Sequence, residues 1–156
     1  MISGNLEHAN IVKFITMLFD KELLDSLSAQ AQASPRLRMN LDLRNSDADS
    51  SQRMLNAIEP GSVVPIHRHQ KTSETVVVLR GRVVEEYYDD AGVLEALYEL
   101  AAGGDARSVS GMTEVACALN IPAGQWHTLR ALESGTVILE MKDGAYEPMA
   151  ECDVLK

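Results

Sequence analysis

Aromatic side chains are scarce in this chain: Phe, Trp and Tyr together make up 4% of its 156 residues, and there is a single Trp. The core must therefore rest on Val, Leu, Ile, Met and Ala, which stabilise through buried area rather than ring stacking. Cysteine is almost missing as well. Cys117 and Cys152 stand far apart, with neither the pairing of zinc ligands nor the density of a disulfide framework, so a reducing cytoplasm is the expected setting. Cys117 lies in an apolar stretch, residues 115–119, and reads as a small buried hydrophobe. Long apolar runs are absent. The patch at residues 11–19 is interrupted by Lys13 and Thr16 and preceded by Glu7, which fits neither a signal peptide nor a membrane span. Positive charge is also in short supply, with 14 Lys and Arg against 23 Asp and Glu, a formal net charge of −9. No basic run offsets that balance, which argues against nucleic-acid and anionic-membrane surfaces.

What is present is ordinary for one soluble domain: 46% hydrophobic and 24% charged residues. Residues 1–19 read as a leader with a short apolar segment. A helix is expected over residues 20–34, with Asp20 as N-cap and Glu22 favourable in its first turn. Leu23, Leu24, Leu27 and Ala31 share one face, and Ser34 before Pro35 ends the helix. Residues 35–148 read as short strands. Leu37, Met39, Leu41 and Leu43 alternate with polar residues, residues 52–59 form a second strand, and residues 75–88 form a long strand or bent pair around Gly81. Further strands are expected over 93–100, 114–121, 126–132 and 136–142, with a C-terminal tail at 149–156. One helix followed by many short strands points to a β-barrel or jelly roll.

Four residues carry the chemistry. His67 and His69 are two apart, so extended backbone sends both imidazoles to one face. Glu74 lies at an odd offset, and the polar residues 70–73 supply a turn that returns it to the same side. His127 follows Pro122-Ala-Gly124, a tight turn aimed at the same interior. Three imidazoles and a carboxylate suit a divalent transition metal such as iron, manganese, nickel, copper or zinc, one per chain. Open positions beside such ligands let the ion polarise a substrate oxygen or bind dioxygen.

This pattern resembles the two motifs of the cupin superfamily. Gly61, His67, His69, Glu74 and Gly81 stand at the spacing of the first motif, and Pro122, Gly124 and His127 match the second. Ala116 and Ala131 replace a usual glycine and asparagine at its ends. The resemblance implies a cupin-type double-stranded β-helix, a jelly-roll barrel preceded by a short N-terminal α-helix, with His67, His69, Glu74 and His127 as the metal ligands. A narrower resemblance, from about residue 15 to residue 148, is carried by residues 34–40, 52–61 and 122–129. It is to the WbuC family of cupin-fold metalloproteins, which is associated with surface-polysaccharide gene clusters. It implies a small, sugar-derived substrate.

Arg38 and Asn56 are the candidate substrate-binding residues. Arg36, Arg38 and Asn40 share one face of the first strand, either lining the barrel mouth or solvated on its outside. Met54, Asn56 and Ile58 share a face of the second, where Asn56 either orients a ligand or holds a neighbouring loop. Trp126 points away from His127 and suits packing or a dimer contact. Thr75, Val77 and Leu79 form an apolar outer face that needs cover, by the helix or by a second subunit, and a homodimer is expected. The expected function is a metal-dependent enzyme acting on a small-molecule ligand; the alternative is a non-catalytic metal-containing binding or accessory protein.

Overall fold

A computed structural model of the chain describes residues 16–104, 107–109, 111 and 114–155, so most of the expected leader lies outside the described residues. The helix, α1, runs Lys21–Ala33, and the Asp20 side chain caps it by accepting from the Leu23 N–H at 3.0 Å. Leu24, Leu27 and Ala31 are buried along one stripe, at the spacing expected of an amphipathic helix. Ser34 is already extended, and the helix stops there, before Pro35.

Nine strands follow among the described residues: β1 (Arg38–Asp42), β2 (Ser51–Ile58), β3 (Glu74–Arg80), β4 (Arg82–Tyr88), β5 (Leu94–Ala101), β6 (Val115–Ala116), β7 (Ala118–Ile121), β8 (Trp126–Ala131) and β9 (Thr136–Asp143). They form a five-stranded sheet in the order β1-β2-β9-β3-β7 and a four-stranded sheet in the order β6-β5-β4-β8. The long strand expected through Gly81 is two strands, one in each sheet, with Gly81 between them at φ 78°. The expected first strand is shorter at its start, because Leu37 adopts φ 55° and turns the chain. The expected strand at 114–121 is broken at Cys117. That residue is exposed, not buried as its apolar neighbours suggest, since it sits at the break between β6 and β7 and its carbonyl accepts from the Val78 N–H.

Alternation divides the strands into two faces. Between the sheets, Ile58, Val76, Val78, Val83, Leu100, Ile121, Leu129, Ala131 and Ile138 form the inner core. On the outside of the five-stranded sheet, α1 packs Leu24, Leu27 and Ala31 against Leu55, Ala57 and Val137, with Met39, Leu41, Leu79 and Leu139 at the margin. The apolar outer face at Leu79 is thus covered by the helix. Arg80 fastens that cover: its guanidinium donates to the Leu24 carbonyl, the Ser28 hydroxyl and the Gly135 carbonyl. The buried Glu59 carboxylate accepts from Gln32, Ser134 and the Gly135 N–H, and so ties the helix to the β8–β9 turn. No helix among the described residues is long and apolar enough to cross a membrane.

The sheet-to-sheet crossing depends on glycine. A Cβ at Gly81 would lie 2.3 Å from Thr136 Oγ1 and 2.9 Å from Thr136 Cα. Gly103, at φ 79°, has nothing within 4 Å of the same position. Gly103→Ala is expected to cost about 1–2 kcal/mol, the left-handed backbone term alone. Gly81→Ala adds overpacking and should cost roughly 1–3 kcal/mol more. Urea unfolding of both variants checks this, and equal losses would contradict it.

Candidate metal centre

The segment that carries His67 and His69 is not a regular strand. It is extended chain held on both sides by backbone bonds. His67 N–H donates to His127 O at 2.9 Å and His127 N–H donates to His67 O at 2.8 Å, joining the segment to β8. The Gly124 N–H donates to His69 O at 2.8 Å, with Gly124 at φ 82° in the turn that starts β8. On the opposite side lies the C-terminal tail, which the sequence left unassigned. A short 3₁₀ turn, Glu151–Asp153, presents Val154 as a bridge partner of His67, and Leu155 N–H donates to Ile66 O at 2.9 Å. Asp153 Oδ1 accepts from Arg68 Nε at 3.1 Å and from Gln70 Nε2 at 2.5 Å.

These restraints bring the three histidines together. One ring nitrogen from each of His67, His69 and His127 lies within 4.8 Å of the others. The His67 and His127 ring centroids are 4.3 Å apart. Both of these rings point Nδ1 at a main-chain carbonyl, His67 at Pro65 O and His127 at Gln125 O, each at 2.9 Å. A carbonyl only accepts, so Nδ1 carries the proton and Nε2 keeps its lone pair. His127 Nε2 is buried and has no hydrogen-bond partner. An orphaned buried acceptor beside two more imidazoles is the donor set a transition metal takes, with the tautomers already fixed by backbone bonds.

Glu74 begins β3 and stands beside this group, not at its centre. Its Oε2 lies 3.0 Å from His69 Nε2 and 2.8 Å from Lys142 Nζ, and Lys142 is its direct partner on β9. Burial alone would raise this carboxyl, but the contacts with His69 and Lys142 hold it well below the usual carboxylate range. Burial, aided by the His127 imidazole, lowers His67 to about 4, and burial also lowers His127. Both rings are therefore neutral at pH 7, as metal ligands must be.

Arg38 donates to the Val63 carbonyl. Its neighbours Met39 and Leu41 pack under the helix, so alternation sets Arg38 and Asn40 on the other face of β1, where Arg38 is half-buried and Asn40 exposed. Asn56 pairs in register with Ile138 of the inner core and hydrogen-bonds Glu140. Trp126 is packed away from the imidazoles, with its Nε1 donating to Asp90 and Arg68 stacked 4.2 Å from the ring centroid.

Three interior residues escaped the motif reading: Glu85, Glu140 and Lys142. Tyr87 pairs with His127, so Glu85, two residues away on β4, lies on the same inner face. It is fully buried, and neither carboxyl oxygen has a hydrogen-bond partner. Burial, then the charges of Glu74 and Glu140, drives it well above the usual range. Burial and the charge of Glu74 push Glu140 up to about 8. An acidic residue in the β4 pattern Arg82-Val-Val-Glu85-Glu-Tyr-Tyr88 reads as solvated from sequence; only its register with β8 reveals the inward side.

Residues 19–100 match the family model described as "Domain of unknown function (DUF6016)". No curated protein matches the chain. Among solved structures it is similar to KdgF from Halomonas sp., at 15% identity and a TM-score of 0.52 over 73% of this chain and 84% of that one. It is similar to recombinant oxalate oxidase in complex with glycolate, at 14% identity and a TM-score of 0.53, over 75% of this chain but only 55% of the oxidase. Oxalate decarboxylase from Bacillus subtilis, described with Mn(II) centres, matches at 18% identity and a TM-score of 0.50, over 76% of this chain and 27% of that one. At these identities the likeness is one of fold, and the fold is the cupin-type jelly-roll barrel.

The neutral state of His67 has a consequence for acid stability. Between about 6.5 and about 4 the unfolded chain protonates His67 and the folded chain does not, so stability falls as pH drops through that window. Above 6.5 both forms are neutral at this residue and the contribution vanishes. In chelator-treated protein the loss should be roughly 2–3 kcal/mol, read as urea-unfolding stability against pH. His67→Gln should flatten the slope; an unchanged slope would place the acid sensitivity elsewhere.

Proposed function

The chain belongs to the DUF6016 family, and we propose that it is a metal-dependent enzyme acting on a small polar, sugar-derived substrate. The observation that carries this reading is the convergence of His67, His69 and His127, with two rings fixed in the Nε2-free tautomer and His127 Nε2 buried without a partner. These three residues, with Glu74 beside them, would hold one divalent transition ion. When bound, such an ion supplies Lewis-acid polarisation of a substrate oxygen, or redox chemistry if it is iron, manganese or copper. The manganese of the Bacillus subtilis oxalate decarboxylase makes Mn(II) the first ion to test.

The chain's own residues supply the rest. The Pro65 and Gln125 carbonyls orient two of the rings. Lys142 and His69 keep Glu74 ionised inside the barrel. Glu85, lacking any partner, offers a buried acid on the inner face that can hold or release a proton toward a bound molecule. The resemblance to WbuC proteins supports surface-polysaccharide metabolism as the setting, with sugars or sugar nucleotides as the substrate class.

Metal content of purified protein, measured by elemental analysis, tests the first half of this reading. About one divalent ion per chain is expected, and His67→Ala or His127→Ala should weaken its affinity by more than the roughly 10-fold to 100-fold lost with a group that only orients a ligand. Full metal content in those variants would disprove the site. Turnover of sugar and sugar-nucleotide substrates with each metal restored tests the second half. A bound ion without exchangeable water and without turnover would favour the accessory-protein alternative.

A further inference from the structure

Lys142 takes no part in the three-histidine set, yet it sits against it. Its side chain is 14% exposed. It lies on the inner face of β9, where Lys142 pairs with Glu74, Glu140 with Val76, and Ile138 with Val78. Its Nζ is 2.8 Å from Glu74 Oε2 and 3.3 Å from His69 Nε2. Enclosing an ammonium to this degree is unfavourable unless its donors and its charge are matched. Glu74 matches one donor. The second contact falls on the ring nitrogen that a metal would take.

Binding an ion at the imidazoles therefore removes a partner from Lys142 and places a divalent charge close to its ammonium. In the barrel interior that charge is weakly screened. Glu74 offsets part of the positive charge. Among the described residues Glu74 is the one carboxylate that pairs with Lys142. The loaded site is then short of negative charge, and an anion from outside would supply it. Of the guanidiniums, Arg38 donates to Val63 O, and Arg68 is engaged by Asp153 and Trp126. A single ammonium acts as a point charge and takes the oxygens of a carboxylate or of a phosphate group alike.

We infer that Lys142 is an anion-binding residue of the loaded site, and that the substrate it receives carries a small anionic group, a carboxylate or a phosphate. This rests on the metal reading above and narrows its substrate class. On metal binding the ammonium gives up His69 Nε2, keeps Glu74, and turns its free donors to the anionic group of the ligand.

The test uses full-length protein loaded with Co(II), whose ligand-field absorption reports ligands at the ion, with amide chemical shifts as a second readout. Acetate is titrated against acetamide, which has the same shape without the charge. Wild type should bind acetate in preference to acetamide. Lys142→Gln removes the charge but keeps a donor for Glu74, and Lys142→Met removes both. Each should retain one cobalt per chain and bind acetate about 10-fold to 100-fold more weakly, with acetamide unchanged. Lys142→Gln guards against a folding defect caused by stranding Glu74, and its thermal midpoint is measured alongside. Normal cobalt uptake with equal acetate binding in wild type and Lys142→Gln overturns the Lys142 inference alone. Equal binding of acetate and acetamide by wild type does the same. Failure of wild type to take up cobalt overturns the metal reading and this inference with it.

Discussion

Two hydrogen bonds hold the site together: His67 N–H to His127 O and His127 N–H to His67 O. They are an antiparallel bridge between an irregular extended segment and the first residues of β8. Residues facing one another across such a bridge put their side chains on the same side. The bridge thus converts two imidazoles separated by sixty positions in sequence into a pair with centroids 4.3 Å apart. The Gly124 turn and the tail around Val154 support the same segment from either side. Without that frame the segment would be a surface loop, and its ligands would lose the common centre that the chemistry requires.

The interior beneath this bridge is unusually charged for a small β-barrel. Glu74, Glu85, Glu140 and Lys142 project from strands of both sheets, above an aliphatic core of Val, Leu and Ile. A folded chain tolerates such groups when they are paired, neutralised or serve a ligand. Glu74 is paired with Lys142, and Glu140 has Asn56. Glu85 has neither. That gradient, from paired at the imidazoles to unpartnered farther along β4, is the electrostatic character of the barrel interior.

The rest of the fold keeps those strands in place. Helix α1 covers the outer face of the five-stranded sheet with Leu24, Leu27 and Ala31, and Arg80 and Glu59 fasten it to the β8–β9 turn. Gly81 lets the chain pass from β3 in one sheet to β4 in the other against Thr136, a contact too close for any side chain. The residue that places Glu74 on one wall and the residue that places Glu85 on the other are thus separated by a single glycine hinge.

The sequence by itself determined the local features. Asp20, the Leu24-Leu27-Ala31 stripe and Pro35 set the helix, because capping, period and proline sterics are local. The spacing of His67, His69, Glu74, Gly81, Pro122, Gly124 and His127 carries the resemblance that implies a cupin barrel and its imidazoles, and a motif match is read along the chain. Only the tertiary structure decided the rest. Cross-strand register turned Glu85 and Lys142 inward, although their local patterns look solvated. Packing of the helix under Met39 and Leu41 put Arg38 on the other face of β1, a choice that β1 alone left open. The break between β6 and β7 exposed Cys117, and backbone pairing drew the tail at Val154 to the segment that carries His67 and His69. Register and sheet pairing are long-range choices, fixed by which faces find cover, and no single segment contains them.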